Sequence, residues 1–123
     1  ISKVPVVRHS CGSIMEILPD FIDCKIDGIH PIQVSAKGMN TDALKEKFGS
    51  KLIFWGGIDT QKVLPYGSKQ EIRDEVRRRI RDLAPGGGYI LGAVHNIQAE
   101  VPPQNICTMF ESAKEFGTYP INC

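Results

Sequence analysis

Three side chains in this sequence combine metal-ligand chemistry with placements that could bring them together: His9, Cys11 and His95. Imidazole and thiolate are both good zinc ligands, and residues i and i+2 at a strand end can turn toward one ion if the strand breaks there. Gly12 permits such a break. A third ligand from His95 leaves one of four positions open, as catalytic rather than structural zinc sites do. The competing reading is a buried neutral thiol beside a hydrogen-bonded histidine. Asp59 follows the pair Gly56-Gly57, where Gly57 lets the backbone approach a ligand closely. Its carboxylate could bind a cationic or N–H group, act as a base, or cap a helix or turn. Gln33, Asn96 and Gln98 would orient a substrate by hydrogen bonds; taken singly they are ordinary loop residues.

These residues need a scaffold, and the hydrophobic period supplies one. Val4 to Val7 is a short β-branched run, and Ile14, Ile17, Leu18 and Phe21 then recur at helical spacing. Gly28 to Val34 reads as a second strand, Thr41 to Phe48 as a helix stopped at Gly49, and Lys51 to Gly56 as a third strand. The longest helix runs from Ser68 to Leu83. Ser68 and Glu71 have capping-box spacing, and Ile72, Val76, Ile80 and Leu83 form its apolar stripe. Tyr89 to Ala93 is a fourth strand, and Pro103 to Phe116 a last helix ended by Gly117. The order β-α-β-α-β-α-β-α implies an α/β fold with a parallel sheet and right-handed crossovers.

Two architectures accommodate that order. A doubly wound sheet reverses its strand order and covers both faces with helices. A (β/α)₈ barrel keeps the strands in chain order with all helices outside, but needs eight units and about 250 residues. Four units in 123 residues are half of that. In either case the ligand site lies beyond the carboxyl ends of the strands. There the sequence places Arg8-His9-Ser10-Cys11-Gly12, Pro31-Ile32-Gln33, Gly56-Gly57-Ile58-Asp59 and His95-Asn96-Ile97-Gln98. The opposite ends carry only turn chemistry, such as Asp27-Gly28, Ser50-Lys51 and Gly86-Gly87-Gly88. His30, inside the second strand, reads as structural. Trp55, at the end of the third, reads as core or as the wall of a cofactor pocket.

Composition narrows the classes further. Hydrophobic residues make up 41% and charged residues 24%, an ordinary globular balance. Fifteen basic and fourteen acidic side chains leave a formal charge of +1, which argues against a nucleic-acid partner. Arg73, Arg77, Arg78, Arg79 and Arg81 alternate with Glu71, Asp74, Glu75 and Asp82, the pattern of a solvated helix face. No apolar run approaches the roughly 18 residues of a membrane span. No leader is visible in Ile1 to His9, and four cysteines without a tight framework suit a reducing cytoplasm. The chain starts without Met, so it is expected to be a fragment forming one domain over residues 1–123.

Several motifs, in order, carry a family resemblance. His9-Ser10-Cys11-Gly12, Asp27-Gly28-Ile29-His30-Pro31-Ile32-Gln33, the run from Lys51 to Asp59, Gly87-Gly88-Tyr89-Ile90-Leu91 and Pro102-Pro103-Gln104-Asn105-Ile106 together resemble the uroporphyrinogen decarboxylase superfamily. The resemblance covers nearly the whole chain. It implies the C-terminal half of a (β/α)₈ TIM barrel, with the first half absent. One branch of the superfamily decarboxylates a tetrapyrrole without metal. The other, of the methylcobalamin:coenzyme M type, uses zinc to activate a thiol that accepts methyl from a corrinoid.

The second branch has an H-x-C pattern and a later cysteine as zinc ligands. His9 and Cys11 match the first two, and His95 stands where the second cysteine is expected, which makes the donor set less anionic. Asp59 matches a Gly-Gly-Ile-Asp motif and is implied to line the cavity. The expectation is therefore a zinc-dependent methyltransferase-like protein acting between a corrinoid, free or protein-bound, and a thiol or related acceptor. The alternatives are a metal-free tetrapyrrole decarboxylase and a non-catalytic corrinoid- or porphyrin-binding fragment. A half barrel is also expected to self-associate or to pair with its absent half, because it leaves strand edges and an apolar face open.

Overall fold

The computed structural model describes residues 4–123; Ile1 to Lys3, the start of the stretch read for a leader, lie outside them. Four strands, β1 (Val7–His9), β2 (Gly28–His30), β3 (Ile53–Ile58) and β4 (Tyr89–Ala93), form one sheet in the order β1-β2-β3-β4. Every pairing is parallel. Sequential order excludes the doubly wound alternative, which needs a reversal, and is the order of a (β/α)₈ barrel. A 3₁₀ turn at Met15–Ile17 leads into α1 (Leu18–Asp23). The other helices are α2 (Thr41–Phe48), α3 (Val63–Tyr66), α4 (Lys69–Leu83) and α5 (Pro103–Phe116).

Local chemistry explains most boundaries. Ser68 Oγ accepts the Glu71 backbone N–H at 3.3 Å and Glu71 Oε2 accepts the Ser68 N–H at 2.7 Å, so the capping box starts α4 at the following residue. Strand β2 stops at His30 because Pro31 has no N–H for the ladder. Strand β1 begins at Val7 rather than Val4, which puts His9 inside the ladder. Strand β3 runs from Ile53 to Ile58, two residues beyond the predicted end at Gly56, and Gly56 and Gly57 pair within it with Leu91 and Gly92. Both glycines have φ near +100°, a conformation that side chains disfavour. The short helix α3 has no counterpart in the sequence reading. Asn105 Nδ2 donates to Leu64 O at 2.9 Å, so the start of α5 is tied to it.

The helices pack on one face of the sheet, where Ile29, Phe54 and Ile58 are fully buried. The α4 stripe of Ile72, Val76, Ile80 and Leu83 is buried as expected. Arg79 departs from the solvated-face reading. It is 5% exposed, pairs with Glu75 at 3.0 Å, and donates through Nη1 to Thr41 Oγ1 at 2.7 Å. The Thr41 hydroxyl donates onward to Asp82 Oδ2 at 2.6 Å, so this buried polar chain fastens α2 to α4. Its position one turn above Glu75 and beside the Thr41 cap region turns Arg79 inward. Among the described residues no helix is long and apolar enough to cross a membrane.

The opposite face of the sheet is open. Val7, Trp55 and Ile90 lie there at 37%, 41% and 45% exposure. A Cβ at Gly92 would meet Trp55 Nε1 at 3.4 Å, which places the indole against β4 on that same face.

Candidate functional site

The carboxyl end of β1 delivers the first two donors. His9 is the last residue of the strand, and the Ser10 N–H continues the ladder to His30 O at 2.8 Å. Beyond it Gly12 adopts φ +91°, which a side chain disfavours, and the chain turns away. That turn is held by Gln33, whose Oε1 accepts the Gly12 N–H at 2.8 Å. Cys11 therefore projects back toward its neighbour, with Sγ 3.4 Å from His9 Nε2. The thiol is exposed rather than buried, contrary to the core-cysteine reading.

His95, two residues beyond β4, closes the group. Donor atoms of His9, Cys11 and His95 all lie within 4.8 Å of one another, and all three residues are exposed. The His9 and His95 rings meet edge-on with centroids 6.1 Å apart. One soft sulfur and two imidazoles at this separation are within side-chain rotation of a tetrahedral zinc set, with a position left for a further ligand. The donor chemistry of the chain thus fits the metal that the resemblance implies.

His30 belongs to the same cluster. Its Nδ1 is 3.0 Å from His9 Nδ1, so a single proton is shared between the two rings. Its ring packs tilted on His9 and edge-on against Trp55, with centroids 5.0 and 5.1 Å apart. Burial, then the facing His9 and His95 rings, lower the His30 pKa below its ordinary 6.5, which keeps it neutral at pH 7. The sequence reading left this residue as structural. The missed signal was strand alternation: Ile29 points to the helices, so His30 must share the open face with its register partner His9.

The remaining candidates divide. Cys11, Gln33, Ser35, Asp59, Gln61 and His95 line a cavity of about 140 Å³. Asp59 is 8% exposed, and its Oδ1 and Oδ2 accept the N–H groups of Gln61 and Val63 at 3.0 and 3.4 Å. The carboxylate thus secures the turn into α3 while bordering the cavity. Gly57 faces the helix layer instead: a Cβ there would meet Tyr89 Oη at 3.4 Å and Arg79 Cδ at 3.6 Å. Tyr89 Oη donates to Gly56 O at 2.8 Å, and burial raises its pKa well above the usual phenol range. Asn96 and Gln98 occupy the exposed loop beyond the cavity, where Gln98 Nε2 donates to Asn96 O at 3.2 Å.

A parallel sheet in barrel order, with polar groups gathered where its strands end, defines a scaffold of the (β/α)-barrel type. The uroporphyrinogen decarboxylase (URO-D) family model matches residues 1–116, and the chain belongs to that family. It is 26% identical over 78 residues to the uroporphyrinogen decarboxylase of Alkalilimnicola ehrlichii, covering 63% of this chain and 21% of that protein. It is 34% identical over 73 residues to that of Nostoc punctiforme, covering 59% and 20%. The chain thus spans about a fifth of the length of these curated relatives. Among solved structures, a methyltransferase from Methanosarcina mazei superposes with a TM-score of 0.74 at 21% identity, over 94% of this chain and 32% of that one. This likeness establishes the fold.

Proposed function

We propose that this chain carries the zinc site of a corrinoid-dependent methyltransferase, passing methyl between a corrinoid and a thiol or related acceptor. The observation that supports the reading is the convergence of His9, Cys11 and His95 within 4.8 Å from the two edge strands of the sheet. Decarboxylation of a tetrapyrrole has no use for a thiol so placed. Zinc held by these three residues would supply Lewis-acid stabilisation to an acceptor thiolate, whose parent thiol, with a pKa of about 8.5, is mostly protonated at pH 7.

The chain's own residues do the rest. Gln33 keeps the Cys11 loop turned toward His9. Asp59, Gln61 and Ser35 give the cavity polar walls that can orient a small acceptor. The exposed Trp55 and Ile90 offer an apolar floor for a flat macrocycle. A methylated corrinoid bound there would supply the methyl group: the acceptor sulfur would gain the S–C bond, the electron pair of the broken Co–C bond would stay with the corrinoid, and the thiol proton would leave to solvent. The second reading, tetrapyrrole decarboxylation, draws support from the names of the curated relatives.

The test is zinc analysis together with methylcobalamin demethylation by a thiol. About one zinc per chain, lost in Cys11→Ser along with methyl transfer, is the expected result. Unchanged zinc content in that variant, or uroporphyrinogen turnover in the presence of chelator, would overturn it. A corrinoid spectral change without any transfer would indicate a binding fragment only.

A further inference from the structure

We propose that His30 is a positioning residue that sets the tautomer of His9, accepting the Nδ1 proton of His9 so that its Nε2 lone pair faces Cys11 and His95. This rests on the metal-site reading above. Geometry leaves His9 one arrangement that serves both neighbours. Its Nε2 is 3.4 Å from Cys11 Sγ and its Nδ1 is 3.0 Å from His30 Nδ1. A ligating nitrogen carries no proton, so Nδ1 must carry it, and His30 Nδ1 must then be the acceptor. That requires His30 to hold its own proton on Nε2.

His30 is placed for this by the sheet itself. It is the register partner of His9, on the adjacent parallel strand, so the two rings leave the backbone side by side on the open face. Trp55, edge-on at 5.1 Å, flanks the His30 ring, and its indole is in turn backed by Gly92, where any Cβ would come within 3.4 Å of Nε1. Trp55, His30 and His9 therefore form a packed row across three strands that ends on the candidate ligand. Partners of this kind on the second ring nitrogen fix the orientation of metal-bound histidines, and their loss weakens metal affinity about 10- to 100-fold.

Two variants and one spectroscopic reading test the assignment. His30→Phe keeps the ring packing and removes the acceptor; His30→Asn offers a side-chain oxygen near the position of Nδ1. Zinc affinity measured by chelator competition is expected to fall about 10- to 100-fold in the first and to recover substantially in the second. Nitrogen-15 NMR of the metal-free protein at pH 8 is expected to show His9 protonated on Nδ1, reverting to Nε2 in His30→Phe. Equal zinc affinity in wild type and a folded His30→Phe would overturn the assignment. So would a wild-type His9 protonated on Nε2, a reading that stands even if His30→Phe does not fold. A wild type with the expected tautomer that binds no zinc would instead defeat the metal reading and leave the hydrogen-bond assignment standing.

Discussion

His9 and His95 are attached to the two outermost strands of the sheet, yet their rings are 6.1 Å apart. Adjacent strands lie about 4.8 Å apart, so three intervals across a flat sheet would separate the outer strands by about 14 Å. Side chains standing perpendicular to such a sheet would not meet. They meet here because His9 closes β1 while His95 stands in the loop two residues beyond β4, so both rings reach each other at the carboxyl rim. Residues 86 positions apart in sequence, 9 and 95, thus form one donor cluster. The two faces of the sheet have separate roles: helix packing on one, the histidine cluster on the other.

The first prediction concerns the tie that aims Cys11. Gln33→Ala removes the acceptor for the Gly12 N–H, a bond worth about 1 kcal/mol at a partly exposed site. Because the bond holds a loop and not the core, the expected cost falls on metal affinity, by roughly tenfold at most, with little change in melting temperature. Gln33→Glu retains an acceptor oxygen and should keep most of the affinity. Chelator competition and thermal melts on both variants check this. A Gln33→Ala protein that binds zinc like wild type would show that the loop needs no tie.

How much of this was legible beforehand varies with the physics involved. Helices α2 and α5 and strand β4 appear with the bounds their periodicity predicts, because apolar spacing and end signals agree there. The short strands β1 and β2 were misjudged by several residues, since three-residue strands carry no period to read. Helix α3 is not legible in the sequence because four residues show no helical repeat, although the cap or turn role open to Asp59 is the one it takes there. Arg79 looked like one arginine among many; only the packing of α2 on α4 makes it a buried partner of Thr41. The positions of His9, Cys11 and His95 were readable from strand ends alone. His30 needed the register of β1 on β2, which no single strand reveals.

Acid should weaken the start of α4 in a defined direction. The backbone N–H and the hydroxyl of Ser68 both donate to Glu71, which lowers its pKa below the ordinary 4.5. A depressed folded value means that the carboxylate's contribution is present above about pH 4.5 and is lost as pH falls through the folded value. Glu71→Gln keeps an acceptor but cannot titrate. Its melting temperature should lie below that of wild type at pH 7, and the gap should narrow as pH falls below 4.5 and close once it passes the depressed folded value. Ser68→Ala, which loses the cap itself, should melt about 4 °C lower at pH 7. A gap for Glu71→Gln that stays constant with pH would show that the box is not ion-assisted.

The open face of the sheet makes the last prediction, on association. Val7, Trp55 and Ile90 are exposed on the same face, on β1, β3 and β4, and among the described residues β1 and β4 each have an outer edge without a strand partner. Apolar surface flanked by free strand edges is a strong template for a second chain. The 123-residue chain alone, of 13.6 kDa, is therefore expected to sediment as a dimer or larger species at micromolar concentration. Trp55 is the one tryptophan of the sequence, so its fluorescence reports on this face without labelling. Emission should shift to the blue as concentration rises. Ile90→Lys puts a charge on the same face, away from the metal donors, and should restore the monomer and a red-shifted emission while leaving zinc affinity in place. A wild-type chain that stays monomeric with a solvent-exposed tryptophan would show that this face does not drive association.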